Sequence, residues 1–130
     1  MEGHQTTLRE GPRSVEVSID GVVVASSARA VVLAETGLPP RYYLPREDVR
    51  IDLLEATPTE TVCPFKGQAS YWSVRTASGE HRDIAWSYET PLESVVGIAG
   101  LICFYAERTD HVIDGVLQEP PVTPWTPQRA

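Results

Sequence analysis

The length and charge of the chain set the first limits on what it can be. Its 130 residues suit a single domain, and a hydrophobic fraction of 42% is enough for a packed core, which excludes a disordered protein. A formal net charge of -7 argues against a surface for nucleic acid or anionic membranes, since both need clustered Lys and Arg. No apolar stretch approaches the roughly 20 residues that span a bilayer, and the polar start carries no signal core, so we expect a soluble cytoplasmic protein.

The first segments after the polar start predict β-structure. Apolar and polar side chains alternate over residues 15–19, which is the period of a half-buried strand. Asp20-Gly21 is a strong signal for a two-residue hairpin turn, and it predicts a returning strand over 22–26. A third strand is expected over 28–34.

Prolines punctuate the next connection. It holds a short extended piece at 42–44, and Pro45 can open a helical turn through 46–48 because its fixed φ suits the start of a helix. Apolar residues on one face of 49–57 predict another strand, which we expect Pro58 to end.

The second half of the chain continues the strand pattern. Its predicted elements are strands over 61–65, 70–75, 81–88, 97–107 and 111–114 and a helical turn that starts at Pro91. In the strand over 81–88, the alternation puts Ile84, Trp86 and Tyr88 on one face.

Strand and turn signals about every ten residues indicate a single small all-β domain, a β-barrel or sandwich-like fold, at residues 14–116. It lies between a lead-in at 1–13, which we expect to be flexible, and a proline-rich tail at 117–130, which we expect to be disordered.

The cysteines indicate free thiols. Cys63 and Cys103 lie far apart, and in a reducing cytosol the expectation is that neither forms a disulfide. Structural zinc usually needs four ligands in close pairs, and the sequence has neither CxxC nor HxxxH, so no metal site is predicted. The run DHVID at 110–114 could bind a metal, but with Gly115 its end is more simply a turn.

The stretch CPFKG, residues 63–67, places the only lysine of the chain close to a cysteine. A reactive thiol needs a nearby positive charge or helix N-terminus, and Lys66 is three positions from Cys63. Cys63 could therefore be a catalytic nucleophile or redox thiol, or Lys66 could bind an anionic ligand. The alternative is a half-buried cysteine at a strand end, followed by a turn with Gly67 in a left-handed conformation.

Two further stretches carry aromatic and polar side chains together. In YYLPREDVR, Tyr43 can stack on a planar ligand and Arg46 can grip a carboxylate or phosphate through two parallel hydrogen bonds. The alternative is a surface turn whose arginines pair with its own acids.

SYWSV and AWSY look like partner strands, each with Trp between polar neighbours. Their side chains Tyr71, Trp86, Ser87 and Tyr88 could line a cavity in a small β-domain, or the rings could fill its core. If Lys66, Tyr71 and Ser87 converge in one concavity, that is the expected site.

The order of YYLPREDV, CPFKGQASYWSV, AWSY and FY resembles the bacterial family catalogued as domain of unknown function 427. The resemblance covers about residues 15–114 and implies a compact all-β domain of the tent-like type with short helical turns. Similar β-folds carry zinc, but this chain lacks their CxxC ligands, so structural zinc is not expected. The family is also labelled nucleotidyltransferase-like, an activity that needs a glycine-serine loop and two or three carboxylates around a divalent metal. Asp48, Asp52 and Glu55 are present, but no such loop precedes them.

Three classes of function follow. The first is a binding module for a small anionic or aromatic ligand, in a pocket lined by Tyr43, Arg46, Lys66, Tyr71, Trp86, Ser87 and Tyr88. The second is an enzyme, either thiol-dependent through Cys63 or nucleotidyltransferase-like. The third is a protein-interaction domain without chemistry, which uses either an exposed strand edge or its proline-rich tail, PPVTPWTP, which could dock in an aromatic groove as polyproline. We rank the binding module first; the sequence identifies no cofactor and no oligomeric state, and it indicates no nucleic-acid or membrane partner.

Overall fold

The computed structural model describes residues 3–127, which form two antiparallel β-sheets and three short 3₁₀ helices. The strands are β1 Thr6–Glu10, β2 Val15–Ile19, β3 Val22–Ser27, β4 Val31–Glu35, β5 Arg41–Leu44, β6 Leu54–Cys63, β7 Gly67–Thr76, β8 Gly79–Ser87, β9 Ile102–Phe104, β10 Asp110–Ile113 and β11 Val116–Leu117. The helices are Arg46–Asp48, Ile51–Leu53 and Glu93–Ile98. The prediction of an all-β domain with short helical turns is confirmed.

The larger sheet has seven strands in the order β1-β4-β5-β9-β8-β7-β6, and the smaller has four in the order β11-β10-β2-β3. Within the described residues both sheets keep their edge strands, so they do not close into a barrel. Asp20 and Gly21, with φ of 51° and 77°, form the predicted hairpin turn between β2 and β3. Asp114 and Gly115, with φ of 50° and 83°, join β10 to β11 in the same way.

Aliphatic side chains fill the space between the two sheets. This inner layer is the cluster of Val15, Val17, Ile19, Val24, Ala25, Ala30, Leu44, Val49, Val74, Ile84, Ala85 and Ile102, together with the ring of Phe104. The β2 residues Val15 and Val17 are 0% exposed, as is Ile102 from the larger sheet. Burying one such side chain contributes roughly 1.5–3 kcal/mol, so this layer supplies much of the driving force for folding.

The opposite face of the larger sheet carries a second buried cluster. This outer layer consists of Leu33, Tyr43, Ala69, Trp86, Tyr88, Val95, Ile98 and Cys103. Because strand residues alternate between faces, Cys103 points into the outer layer, while its neighbours in β9 point into the inner one. The helix Glu93–Ile98 covers part of this face with Val95 and Ile98, which are both 0% exposed.

Two bulges bend the strands β6 to β8. The register between β6 and β7 shifts around Pro58, and this bulge lets β6 continue through the proline. The prediction that Pro58 ends the strand is therefore wrong. A second shift lies between β7 and β8, where Asp83 takes a φ of 51°. The hydroxyls of Thr57 and Thr59 each donate to a carboxylate oxygen of Asp83 at 2.7 Å, which holds the two bulges together.

The bulge at Asp83 changes the faces of β8. The consecutive residues Ile84 and Ala85 both belong to the inner layer, whereas Trp86 and Tyr88 belong to the outer layer. The prediction that Ile84 shares a face with Trp86 and Tyr88 is therefore wrong, because a bulge breaks the strict alternation of a strand.

Three other segments differ from the expectations. Strand β1 lies in the lead-in expected to be flexible and pairs with β4 from Thr6↔Glu35 to Glu10↔Val31. The helix Ile51–Leu53 interrupts the strand expected over 49–57, and the long strand expected over 97–107 is reduced to β9. In the tail, Thr123 hydrogen-bonds to Glu107. Residues 1–2 and 128–130 of the two expected flexible segments lie outside the described residues.

Candidate functional site

An open cavity of about 280 Å³ lies on the outer face of the larger sheet. Six aromatic residues line it: Tyr43, Tyr71, Trp86, Tyr88, Tyr105 and Trp125. The other lining residues are Glu35, Leu38, Arg41, Thr61, Cys63 and Lys66. We call it the aromatic cavity. A concave, mostly apolar surface with a few polar groups is typical of sites that bind small molecules.

The register of the strands brings these rings together. Tyr71 of β7 pairs with Trp86 of β8, and Tyr43 of β5 pairs with Cys103 of β9. Trp72, next to Tyr71, packs against the inner layer instead. The residues predicted from the sequence that line the cavity are Tyr43, Cys63, Lys66, Tyr71, Trp86 and Tyr88.

Trp86 is fixed from two sides. Its indole N–H donates to the Tyr43 hydroxyl oxygen at 3.0 Å, and the two rings meet edge-on with centroids 6.4 Å apart. The Tyr105 ring lies 4.4 Å away, centroid to centroid. Burial raises the pKa of Tyr43 well above its usual value, so this hydroxyl stays neutral. The polar atom of the indole is thus satisfied inside the protein, and the ring is held in one orientation.

A buried ion pair contributes to the same wall. Arg41 donates to both carboxylate oxygens of Glu107, at 2.7 and 2.8 Å, and the side chains are 9% and 0% exposed. Burial alone would lower the pKa of Arg41, but the hydrogen bonds with Glu107 more than offset it, and the pKa is raised. Burial alone would raise the pKa of Glu107, but hydrogen bonds from Arg41 and Thr123 lower it. Both groups are therefore charged.

The only lysine of the chain forms a second ion pair. Lys66 Nζ lies 2.5 Å from Glu35 Oε1, and Glu35 Oε2 lies 2.6 Å from Nε2 of His4. His4 stacks on Phe65 with ring centroids 3.9 Å apart. Lys66 is only 8% exposed, so it enters the cavity wall as half of a pair and not as a free cation.

The stretch CPFKG forms a tight turn whose side chains also line the cavity. The Lys66 N–H donates to the Cys63 carbonyl at 3.2 Å, and Gly67 has a φ of 115°, a region that favours glycine. The prediction of two free thiols is confirmed. They differ in access: Cys103 is 0% exposed and burial raises its pKa to about 12, whereas Cys63 is half-buried and reaches the cavity.

Tyr88 offers its hydroxyl to the cavity. Burial raises the pKa of Tyr88 and of Tyr105 above the usual tyrosine value, so both remain protonated and able to donate a hydrogen bond. Within residues 3–127 no protein group bonds to the Tyr88 hydroxyl, while the Tyr71 hydroxyl lies 2.9 Å from that of Thr61. Tyr88 therefore has a donor available for a ligand.

Arg46 and Ser87 lie outside the aromatic cavity. Ser87 follows Trp86 in β8 and points to the opposite face, where it is 0% exposed. Arg46 donates to the carbonyl of Gly100 at 2.8 Å and pairs with Glu89. The expected pocket that joins Arg46 or Ser87 to Lys66 is therefore not formed, because Arg46 and Ser87 lie beside each other and neither lines the cavity.

The carboxylates considered for nucleotidyltransferase chemistry do not share a site. Asp48 accepts hydrogen bonds from Ser27 and Arg29, and Asp52 pairs with Arg50. Among residues 3–127, no group of three or more His, Cys, Asp or Glu could hold a metal ion, so the donor set does not fit a divalent metal. In the same range no helix is both long and apolar enough to cross a membrane.

A Ser-His-Asp cluster near the first hairpin is not a catalytic triad. Nε2 of His81 lies 3.0 Å from Asp20 Oδ2 and 3.5 Å from Ser78 Oγ, so acid and serine approach the same ring nitrogen. A triad needs them on opposite nitrogens. The hydrogen bonds of Ser78 and Thr76 lower the pKa of Asp20 to about 2, which makes it an ordinary ionised turn residue.

Sequence reasoning missed Glu35, Glu107 and Trp125. The two acids lie far along the chain from Lys66 and Arg41, and nothing local separates them from solvated acids. The available signal was the cation in each pair, because a buried Arg or Lys among aromatic rings needs a buried carboxylate as its partner. Trp125 lies in a tail expected to be disordered, where the signal was the ring itself, because such tails have few aromatic residues.

The fold and the cavity define a class, a small two-sheet β-protein with an aromatic cavity on the outer face of its larger sheet. The family model described as domain of unknown function (DUF427) matches residues 7–115, and the chain belongs to this family. The match confirms the resemblance seen in the sequence and extends it into β1. No curated protein matches the chain.

Proposed function

We propose that this protein binds a small, flat aromatic molecule in the aromatic cavity. The observation that carries the proposal is the lining, six aromatic residues around about 280 Å³. A planar ligand gains most from such walls, because each well-placed ring pair contributes about 0.5–1.5 kcal/mol beyond the burial of its surface. Ligand pockets start at about 300 Å³, so the volume favours a ligand of one or two rings.

The charges of the cavity favour a ligand with little net charge. Arg41 and Lys66 are each bound to a carboxylate, with contacts of 2.7 and 2.5 Å. An anionic ligand would have to displace Glu107 or Glu35, and leaving such a buried charge unpaired costs about 3–5 kcal/mol. Of the anionic and aromatic ligands that the sequence suggests, the aromatic one is therefore the better supported.

The Tyr88 hydroxyl supports one further feature of the ligand. It is a protonated donor at the cavity surface, and a ring nitrogen or carbonyl of the ligand can accept from it. Such a bond contributes about 0.5–1.5 kcal/mol, enough to orient a flat molecule among otherwise apolar walls.

Thermal unfolding of the purified protein with two sets of compounds tests the proposal. The first set holds neutral rings with an acceptor, such as quinoline, indole-3-carboxaldehyde and purine bases, and the second holds sugar phosphates. A ligand at a hundred times its Kd stabilises by roughly 2.7 kcal/mol, which raises Tm by several degrees in a domain of this size. We expect shifts from the first set only. If no ring compound raises Tm, the proposal is wrong.

Three variants locate the binding. Tyr71→Ala removes a cavity ring and should abolish the shift, whereas Leu92→Ala, which removes a 46% exposed side chain outside the cavity, should not. Tyr88→Phe keeps the ring and removes the hydroxyl. It should weaken quinoline by about twofold to tenfold, the value of one hydrogen bond, and leave naphthalene unaffected.

A thiol-dependent reaction at Cys63 is the second candidate. The observation in its favour is that Cys63 lines the cavity, whereas the other thiol is buried. Among residues 3–127, the polar contacts of His4, His81 and His111 are with other residues and none is with Cys63. Alkylation at pH 7 tests this role: a rate at Cys63 far above that of a free cysteine peptide supports it, and an equal or slower rate removes it.

A further inference from the structure

The segment beyond the family match reaches the aromatic cavity. The matched residues end at 115, but Trp125 lines both the cavity and an adjoining cleft of about 260 Å³. Thr61, Tyr71 and Tyr105 also line both spaces, so cavity and cleft meet at Trp125. A ligand that moves from the cleft into the cavity at this junction passes beside the Trp125 ring.

One hydroxyl group fixes the position of Trp125. Thr123 Oγ1 donates to Glu107 Oε2 at 2.6 Å and accepts from the backbone N–H of Trp125 at 3.1 Å. Glu107 is ionised and its side chain is fully buried, and a hydrogen bond to a charged group is stronger than one between neutral groups. The ring also lies 5.9 Å from Cζ of Arg41, a cation–π distance.

Parts of the segment remain open to solvent. Val122, next to this hydroxyl, is 90% exposed, and Trp125 itself is 46% exposed. Its ring therefore has one side toward the cavity and another toward solvent, unlike the strand-borne rings of Tyr43 and Trp86, which are 1% and 7% exposed. The contacts of Thr123 with Glu107 and of Trp125 with Arg41 argue against a tail that is free to dock on another protein, since the only large ring of the tail lies on its own domain.

We propose that Trp125 is the specificity-determining wall of the aromatic cavity, and that it selects narrow ligands of one or two rings over wider ones by limiting the width of the passage from the cleft. The inference rests on the proposed function. Thr123 acts as a positioning residue, because it holds the Trp125 backbone against the buried ion pair. The binding site is then formed jointly by the family domain and the segment that follows it.

Cys63 makes the test possible without a ligand, because it is the thiol that lines the cavity. The full chain is treated with iodoacetamide, which is small, and with N-(1-pyrenyl)maleimide, which is wide, and labelling of each cysteine is followed by mass spectrometry. Cys103 is 0% exposed and reports whether the core has opened. We expect the wild-type protein to react readily with the small reagent and slowly with the wide one.

Trp125→Ala should remove this discrimination. We expect the rate of the wide reagent at Cys63 to rise about tenfold and that of the small one by less than about twofold, where tenfold corresponds to about 1.4 kcal/mol. Thr123→Val, which keeps the shape and removes the hydroxyl, should change the ratio of the two rates in the same direction by a smaller factor. Val122→Ala is the matched control in the same segment and should leave the ratio unchanged.

An unchanged ratio in Trp125→Ala overturns the inference, and so does a Cys63 that is unreactive in both proteins. If Trp125→Ala also exposes Cys103, the Thr123→Val protein decides, and an unchanged ratio there has the same meaning. Failure of this test is separate from failure of the proposed function. Ring compounds that raise Tm equally in wild type and Trp125→Ala would uphold binding in the cavity and remove only the role of Trp125.

Discussion

The two faces of the larger sheet differ in chemistry although the same strands build both. In β9, Ile102 and Phe104 point into the inner layer, while Cys103 between them points into the outer layer. The inner layer is mainly aliphatic and closely packed. The outer layer is rich in rings, adjoins two ion pairs and leaves about 280 Å³ open. One face of a sheet can therefore supply most of the packing, which leaves the other face free to hold charged groups and an open cavity.

The largest effect is expected where the outer face carries buried charge. Glu107→Ala leaves the Arg41 side chain, which is 9% exposed, without its carboxylate. Breaking a buried pair in this way costs about 3–5 kcal/mol, which urea unfolding measures directly. The double variant Arg41→Met/Glu107→Leu should recover most of the loss because it buries no charge. A Glu107→Ala protein as stable as wild type would contradict this account of the outer face.

Truncating a side chain should lower the free energy of unfolding more in the inner layer than beside the aromatic cavity. Ile84 is 0% exposed in the inner layer, and Ile84→Ala should lower the free energy of unfolding by about 2–5 kcal/mol because it leaves a closed void. Tyr71 borders space that is already open, so Tyr71→Ala should cost only about 1 kcal/mol. Both are measured by urea unfolding. Equal losses would show that the outer face is packed as tightly as the inner one.

Lowering the pH should destabilise the protein through His111, a buried histidine of the smaller sheet. His111 of β10 lies opposite Val17 and is 4% exposed, and burial lowers its pKa from 6.5 to about 4. Its neighbours are the Thr109 hydroxyl at 3.0 Å and the Tyr42 ring, with Arg41 and Glu107 acting over longer distances. The unfolded chain takes up the proton first. Stability is therefore complete above pH 6.5 and falls as pH drops toward 4, by up to about 1.4 kcal/mol per pH unit.

The variant His111→Gln isolates this effect. Urea unfolding between pH 6.5 and 5, where most carboxylates remain ionised, should give a flatter dependence on pH than in the wild type. The same slope in both proteins would mean that another group is responsible.

The smallest expected effect compares two tyrosine hydroxyls of the outer face. Tyr43→Phe keeps the ring but leaves the buried indole N–H of Trp86 without an acceptor, which costs about 1–3 kcal/mol. Tyr88→Phe removes a hydroxyl that bonds to no protein group within residues 3–127, and should change stability by less than about 0.5 kcal/mol. Thermal and urea unfolding report both. A larger loss in Tyr88→Phe than in Tyr43→Phe would reverse the assignment of the two hydroxyls.

The parts of the fold that could be predicted are those that local rules decide. Asp20-Gly21 fixes its hairpin because the turn needs two residues with positive φ. Pro45 precedes its helical turn because its fixed, negative φ suits the start of a helix. The bulges could not be predicted. Asp83 holds its conformation through hydroxyls of Thr57 and Thr59 from another strand, and only that contact turns Ile84 to the inner layer.

The site was predictable to a similar depth. The motifs were sufficient to name Lys66, Tyr71 and Trp86 as lining residues, whereas Ser87, which was expected to converge with Lys66 and Tyr71, does not line the cavity. The pairing of the charges was not visible, because Lys66 and its partner Glu35 are 31 positions apart. The ion pair of Arg46 was not visible for the same reason, because its partner Glu89 lies far along the chain, in a different connection between strands. The ion pairs that hold these cations therefore could not be predicted from local sequence.

The position of Lys66 has a practical consequence for work at the bench. Acylating dyes and amine crosslinkers modify most proteins at many lysines, but this chain has one, and it is 8% exposed and held by Glu35. Its acylation would require the pair to separate first. The extent of labelling at this single lysine therefore measures how often the cavity wall opens, and a ligand that closes the wall should suppress it.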